Sequence, residues 1–401
     1  MNVVGLMTGT SADGLDVALV DLGLDADGDL TLCLVDHAEV AFDDALGDDL
    51  LALLEPTPVP LALVASVDRR LGIAAADAVE AILADHRLDD ALVVSHGQTV
   101  QHLLDGDDVL ATLQIGQPAW IAERTGCAVV SDVRSRDVAA GGQGAPLASL
   151  LDHLLLADAD EPTAALNLGG IANITVVGPG REPIAYDTGP ANALIDLVAR
   201  RASGQARAID RDGALAASGT VVPALLEDLL ADPYYARSAP KSTGKEHFHA
   251  AYLDRALAAH PGLADRDVAA TVTRLTALTV AHECVRHGVS RVVASGGGTR
   301  NGALMRELRD ALGPDAHLVT LDEIGLPESA KEAVLMALIG WLTWHGAPAT
   351  VPSCTGARHA TLAGRLTPGR EPLRLPPPLS RPPRRLRLTP DPTRLTAEGA
   401  L

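Results

Sequence analysis

Aromatic side chains are scarce in this chain of 401 residues, which has two Phe, four Tyr and three Trp. A surface that stacks nucleic-acid bases leans on aromatic platforms, so that class of partner is disfavoured. Basic charge is also short: 32 Lys and Arg stand against 52 Asp and Glu, for a net charge of −20. Such a field repels a phosphate backbone. The four cysteines, Cys33, Cys127, Cys284 and Cys354, are scattered, with no C-x-x-C pair. Neither a disulfide framework nor a zinc knuckle is indicated. A membrane span needs roughly 18 apolar residues, and the longest apolar run, Ala333 to Leu342, is about ten. The opening Met-Asn-Val-Val-Gly has no basic n-region and does not read as a secretory signal. The expected compartment is the cytoplasm, with neither nucleic acid nor membrane as partner.

What the chain does have is aliphatic bulk. Hydrophobic residues make up 47%, enough for a substantial core without staples, and the length sets an expectation of two or three domains. From Glu371 onward six Arg meet three acidic residues among eight prolines, including Pro376-Pro377-Pro378 and Pro382-Pro383. Proline excludes a helix interior there and little apolar surface is available to bury, so 371–401 reads as an extended or disordered Pro/Arg-rich tail. A dispensable solvated tail is favoured over one whose arginines bind an acidic surface.

The remainder alternates short β-branched runs with helical stretches. Strands are expected at Val3–Met7, Asp16–Leu22 and Leu30–Val35, with Asp27-Gly28 as a hairpin turn. Asp25, Asp27 and Asp29 resemble a calcium loop only superficially, because the glycine sits fourth rather than sixth. Helical patterns follow at Asp68–Asp85 and Ala145–Leu156. A second strand–turn–strand covers Ala164–Val177, and a strand at Arg291–Ala294 runs into Ser295-Gly296-Gly297-Gly298 and a helix from Asn301 to Leu312. This order argues α/β architecture. The two glycine-centred strand–turn–strand units, roughly 160 residues apart, suggest a duplicated fold.

Several clusters carry chemistry. In Gly9-Thr10-Ser11-Ala12-Asp13-Gly14-Leu15-Asp16, glycines let backbone approach an anion while amides and hydroxyls donate to phosphate oxygens. Asp13 and Asp16 suit a hard cation such as Mg²⁺. Asn167-Leu168-Gly169-Gly170 bends a second apolar strand pair in a similar way. Gly296-Gly297-Gly298 leaves side-chain-free backbone before a helix, suited to a phosphate or an adenine. The G-x-G-x-x-G spacing fails, and no G-x-x-x-x-G-K-[ST] loop is present. In Tyr186-Asp187-Thr188-Gly189-Pro190-Ala191-Asn192 a strand-end acid is held by a Gly-Pro turn, the placement of a general base; an Asx turn cap is the plainer reading. Ser95-His96-Gly97-Gln98-Thr99, the Arg134 and Arg136 pair and Gly141–Leu147 suit a hydroxylated ligand bearing a carboxylate. His282 and His287 lie five apart rather than four and do not form a metalloprotease pair; His96 and His102, six apart, are equally unconvincing as a metal pair.

Together these segments resemble the anhydro-N-acetylmuramic acid kinases, within the superfamily of actin, hexokinase and the heat-shock ATPases. The likeness is carried by GLMTGTSADGLD (Gly5–Asp16), SHGQT (Ser95–Thr99), DVRSRDVAAGGQGAPL (Asp132–Leu147), NLGGIANIT (Asn167–Thr175) and YDTGPANAL (Tyr186–Leu194). PKSTGKEHF (Pro240–Phe248), GGGTRN (Gly296–Asn301) and PSCTGAR (Pro352–Arg358) continue it. Ala191 stands where the family pattern has a second Gly.

The resemblance implies two actin-like, ribonuclease H-like α/β lobes with a nucleotide cleft between them. Lobe I would be 1–130 with a return at 336–370, and lobe II 131–335. It implies ATP and Mg²⁺ as cofactors and 1,6-anhydro-N-acetylmuramic acid as the small-molecule substrate, opened by water and phosphorylated on O6. ATP would be held by Gly9–Asp16, Asn167, Gly169, Gly170 and Gly296–Gly298. The sugar would be held by Gln98, Thr99, Arg134, Arg136 and Asn192. Asp187 and Glu332 are the implied catalytic residues, and a homodimer is one open option. A conventional sugar kinase acting on an intact hydroxyl, or a non-catalytic ATP-switched interaction protein, are the alternatives.

Overall fold

The computed structural model describes residues 1–9, 12–106, 108–244 and 246–390. Thr10 and Ser11, both expected at the phosphate turn, lie outside the described residues. The chain divides into two compact units, Met1–Ala157 with the segment from Ser329 onward, and Asp158–Glu328.

In the first unit, β1 (Asn2–Met7), β2 (Gly14–Leu24) and β3 (Leu30–Ala41) form an antiparallel meander. On the other side of β1 lies β4 (Leu92–Ser95), parallel to it. A separate hairpin, β5 (Gln98–Asp105) with β6 (Asp108–Ile115), precedes β7 (Val129–Ser131), which runs parallel to β4. In the second unit, β8 (Thr163–Leu168), β9 (Ile171–Val177) and β10 (Ile184–Pro190) are again an antiparallel meander. There β11 (Arg291–Ser295) is parallel to β8, and β12 (His317–Thr320) is parallel to β11. The orders β3-β2-β1-β4-β7 and β10-β9-β8-β11-β12 match strand for strand and direction for direction. The ribonuclease H-like sheet therefore occurs twice, and the fold is α/β as expected.

Central strands of such sheets are covered on both faces and read as continuous apolar runs. Val3, Val4 and Leu6 of β1 are fully buried. Val4 and Leu6 share a core with Ala75, Val79 and Ile82 of the helix Leu61–Asp85. The opposite face carries the helix Lys331–Trp344, buried all round from Ala333 to Thr343. Its approach depends on glycine: a Cβ on Gly5 would lie 1.9 Å from the Ala333 carbonyl oxygen, and one on Gly340 would lie 2.1 Å from a Val94 methyl. In the second unit the helix Asp265–His287 runs through the core of Leu166, Ile174, Leu194 and Leu304.

Two expectations change. The division falls after Ala157 and before Ser329, not at 130/131 and 335/336. Residues 131–157 stay with the first unit because β7 extends its parallel half. The Lys331 ammonium, 3.0 Å from Asp152, joins the returning helix to that same unit. The second correction concerns the tail. β13 (Arg365–Thr367) pairs with β7, and β14 (Leu386–Leu388) pairs parallel to β3, closing both sheet edges. Arg385 meets Asp29 at 2.7 Å, Arg387 meets Asp25 at 2.9 Å, and Arg381 donates to the Asp27 carbonyl. The described part of the tail is docked, its arginines neutralising the acidic turn that resembled a calcium loop. Among the described residues no helix is long and apolar enough to cross a membrane.

Candidate active site

The first unit gathers one set of polar groups around the β1–β2 turn. Buried Thr8 donates its hydroxyl to the Gly97 carbonyl at 2.9 Å. Ala12 holds a positive φ of 53°, Asp13 is exposed, and Asp16 is half-buried in β2. Gly14 and Leu15 serve packing: a Cβ on Gly14 would lie 2.9 Å from the Val40 carbonyl, and Leu15 is a core residue. Among the described residues no group of three or more His, Cys, Asp or Glu side chains could hold a metal. Two carboxylates at a phosphate turn suit an ion that brings phosphate and water as its other ligands.

Beside this turn, His96 and Gln98 are buried. Gln98 Oε1 has no hydrogen-bond partner among the described residues, a buried acceptor awaiting a donor. Thr99 accepts from Gln114 at 3.0 Å. Arg134 donates Nε–H to His96 Nε2 at 2.8 Å and NH1 to the Gly144 carbonyl at 2.6 Å. Burial pulls the Arg134 guanidinium down to about 10, against the supporting charges of Glu332 and Asp137, so it stays cationic at neutral pH. Asp137 in turn accepts from Gly144 N and Thr355 Oγ1, both at 2.8 Å, fixing the glycine loop. Glu332 is exposed in the first turn of its helix. Arg136 stands apart, exposed and lining a cavity of about 330 Å³ with Trp344, Leu375 and Pro376. The two arginines, equal candidates by sequence, are thus separated: Arg134 joins the polar cluster and Arg136 does not.

The second unit supplies the remainder. At the β8–β9 turn, the Gly169 and Gly170 carbonyls accept from Asn192 N, Ala191 N and Ala193 N at 2.9–3.0 Å. Asn192 Nδ2 donates to Leu168 O and Gly169 O, each at 2.9 Å. Asn192, expected at the sugar, therefore fastens the turn to the following helix, and the turn amides rather than its carbonyls are left for phosphate. Ala191 adopts φ −124° and tolerates its methyl. The three consecutive glycines differ in environment. Cβ atoms on Gly296 and Gly298 would lie 2.5 Å from Asn167 Oδ1 and 2.6 Å from Leu168 Cβ, whereas one on Gly297 would meet nothing within 4 Å.

Asp187 lies in β10, just before a register shift at Gly189. Its Oδ2 accepts from Thr243 N and Ser242 Oγ, both at 3.0 Å. Oδ1 has no hydrogen-bond partner among the described residues. Burial raises the carboxyl pKa, the Thr243 and Ser242 bonds work against that, and the Glu246 charge adds to it. Behind it, Lys241, with no exposed side-chain surface, meets Glu283 at 2.7 Å. Glu283 also accepts from Tyr186 OH at 2.9 Å, and Tyr186 OH contacts His287 Nε2 at 2.7 Å. Burial opposes ionisation of Glu283, but the Lys241 and Tyr186 bonds outweigh it and lower its pKa. Sequence reasoning missed Ser242, Thr243, Lys241 and Glu283 as supports of Asp187. A signal was present: only three lysines occur, at 241, 245 and 331, and one of them is buried beside the candidate base.

Comparison with known proteins agrees with this arrangement. The family model described as anhydro-N-acetylmuramic acid kinase matches residues 1–369. The protein of that name from Streptomyces coelicolor is 53% identical over 97% of this chain and 99% of its own. That from Streptomyces avermitilis is 53% identical over 94% and 97%, and that from Rhodococcus erythropolis 47% identical over 92% and 94%. On this match the chain belongs to the anhydro-N-acetylmuramic acid kinase family.

Proposed function

We propose that this chain is an ATP-dependent kinase that opens 1,6-anhydro-N-acetylmuramic acid with water and phosphorylates O6, giving N-acetylmuramate 6-phosphate and ADP in peptidoglycan recycling. The observation that carries the reading is Asp187, with one oxygen tethered, the other without a partner, and its proton affinity raised by burial. Such a carboxylate suits a general base within reach of water. It takes a proton from water, whose oxygen bonds to the anomeric carbon C1 as the C1–O6 bond breaks. The bond pair remains on O6, which attacks the γ-phosphorus while the bond to the β–γ bridging oxygen breaks and ADP leaves.

Phosphoryl transfer depends mainly on positioning and charge stabilisation. Amides of the β1–β2 and β8–β9 turns, with the open backbone at Gly297, supply donors for phosphate. Asp13 and Asp16 would hold Mg²⁺, which supplies further charge neutralisation when bound with ATP. On the sugar, Arg134 suits the lactyl carboxylate and Gln98 Oε1 a donor, with Glu332 close enough in charge to support Arg134.

Turnover in ¹⁸O-water tests the mechanism. Label on the C1 hydroxyl of the product is expected; unlabelled product from a sugar phosphorylated on an intact hydroxyl overturns the hydrolytic step. Asp187→Asn should keep nucleotide affinity and lose about two orders of magnitude or more in kcat, the scale of a lost general base.

A further inference from the structure

The polar cluster of the first unit contains one group with no role so far. The ring of His96 is 3% exposed, and each of its nitrogens has one partner that settles its protonation. Nδ1 lies 2.6 Å from the Gly97 carbonyl, which can only accept. Nδ1 therefore carries the proton and Nε2 is a lone pair. That lone pair lies 2.8 Å from Arg134 Nε, which can only donate.

We propose that His96 is a positioning residue for Arg134, an uncharged imidazole held in one tautomer whose lone pair sets the plane of the guanidinium. The proposal rests on the reading that Arg134 receives the carboxylate of the sugar. With Nε given to His96 and NH1 to the Gly144 carbonyl, the guanidinium is pinned at two points. NH2 has no hydrogen-bond partner among the described residues and faces no competitor for an incoming carboxylate.

The support for the imidazole is itself rigid. His96 N donates to Leu6 O at 3.1 Å. The Gly97 carbonyl that orients the ring also receives Thr8 Oγ1. Only glycine can place that carbonyl, since φ is 67° at Gly97 and a Cβ there would lie 2.2 Å from the Ile115 carbonyl oxygen. One contiguous set of bonds thus joins Thr8, at the start of the β1–β2 turn, through Gly97 and His96 to Arg134.

The chemistry explains why an imidazole suits this position. A carboxylate here would pair with Arg134 and cancel the charge offered to the substrate. A neutral acceptor fixes orientation and leaves the charge intact. Burial and the adjacent Arg134 cation push His96 down to about 3, against the Gly97 bond, so the lone pair persists through any working pH.

The test compares kcat/KM for 1,6-anhydro-N-acetylmuramic acid with that for the same anhydro-sugar bearing a free 3-hydroxyl in place of the lactyl ether. His96→Leu should lower the preference for the carboxylate-bearing sugar about ten- to a hundredfold, the scale of a hydrogen bond to a charged group, mainly through KM. His96→Gln, which keeps a neutral acceptor, should recover part of it. His96→Asp should not, because its charge occupies Arg134. In an Arg134→Gln background, His96→Leu should change the preference no further. Equal losses for both sugars in His96→Leu overturn the proposal.

Nitrogen-15 NMR of the full chain separates this from failure of the underlying reading. The Arg134 Nε–H should exchange slowly in the wild type and rapidly in His96→Leu, with His96 Nδ1 protonated and Nε2 not. If Arg134→Gln leaves the sugar preference intact while these signatures hold, the carboxylate reading fails and the positioning stands. An Arg134 Nε–H indifferent to His96→Leu overturns the positioning itself.

Discussion

At Asp187 opposing effects act on one proton. Burial destabilises the carboxylate and raises its pKa, while Thr243 N–H and Ser242 O–H stabilise the charged form and lower it. A general base works only when deprotonated, so activity falls as pH drops through its pKa. Ser242→Ala removes one of the two stabilising bonds and raises the pKa further. The acid limb of the kcat/KM profile should therefore move to higher pH; a limb that stays put or moves to lower pH would show that Ser242 does not govern the base. Asp187 was legible in the sequence because the Gly-Pro turn after it marks a strand end. Ser242 was not, because it lies 55 residues along the chain and meets Asp187 only through folding. The two arginines teach the same lesson. Arg134 and Arg136 are chemically identical neighbours, and only the helix turn between them sends one to His96 and the other to the Pro-rich segment.

Among the elements, the strand–glycine–helix junction at 296–298 makes the sharpest forecast. Gly296→Ala and Gly298→Ala should destabilise the second unit, since their methyls would press on Asn167 and Leu168. Gly297→Ala meets open space and should leave the melting temperature nearly unchanged while weakening nucleotide affinity, as a methyl intrudes on exposed backbone. Equilibrium binding of a non-hydrolysable ATP analogue and thermal melts of all three variants check this; a Gly297→Ala chain with unchanged affinity removes that backbone from the site. The tail argues from the same scale. Its proline content excluded a helix, and a lack of structure seemed to follow. What the composition could not reveal is the partner, an acidic turn more than 350 residues upstream. Truncation after residue 370 should expose the β3 edge and lower the melting temperature. The gap to the full chain should shrink in 1 M salt, where exposed ion pairs are screened. A gap independent of salt would assign the latch to the β14 pairing and buried Leu386 alone.

For the whole molecule, the duplicated sheet was foreshadowed by two glycine-centred hairpins, yet the unit boundaries were not. The helix Lys331–Trp344 is apolar on every side, so no amphipathic stripe says which sheet it covers. Its place under β1 is set by Gly5 and Gly340, whose missing side chains are meaningful only once the neighbouring backbone is known. Two units with separate cores need not unfold as one cooperative system. Calorimetry should give an unfolding enthalpy larger than the van't Hoff value, and paired variants should identify the parts. Gly5→Ala, which would drive a methyl into the Ala333 carbonyl, should depress only the transition of the first unit. Lys241→Met leaves the Glu283 charge buried without its ammonium, a loss of about 3–5 kcal/mol. At roughly 2–4 °C per kcal/mol for a unit of this size, the second transition should fall by about 10 °C while the first holds. A single transition, with matching enthalpies and lowered by both variants alike, would mean that the two sheets stand or fall together.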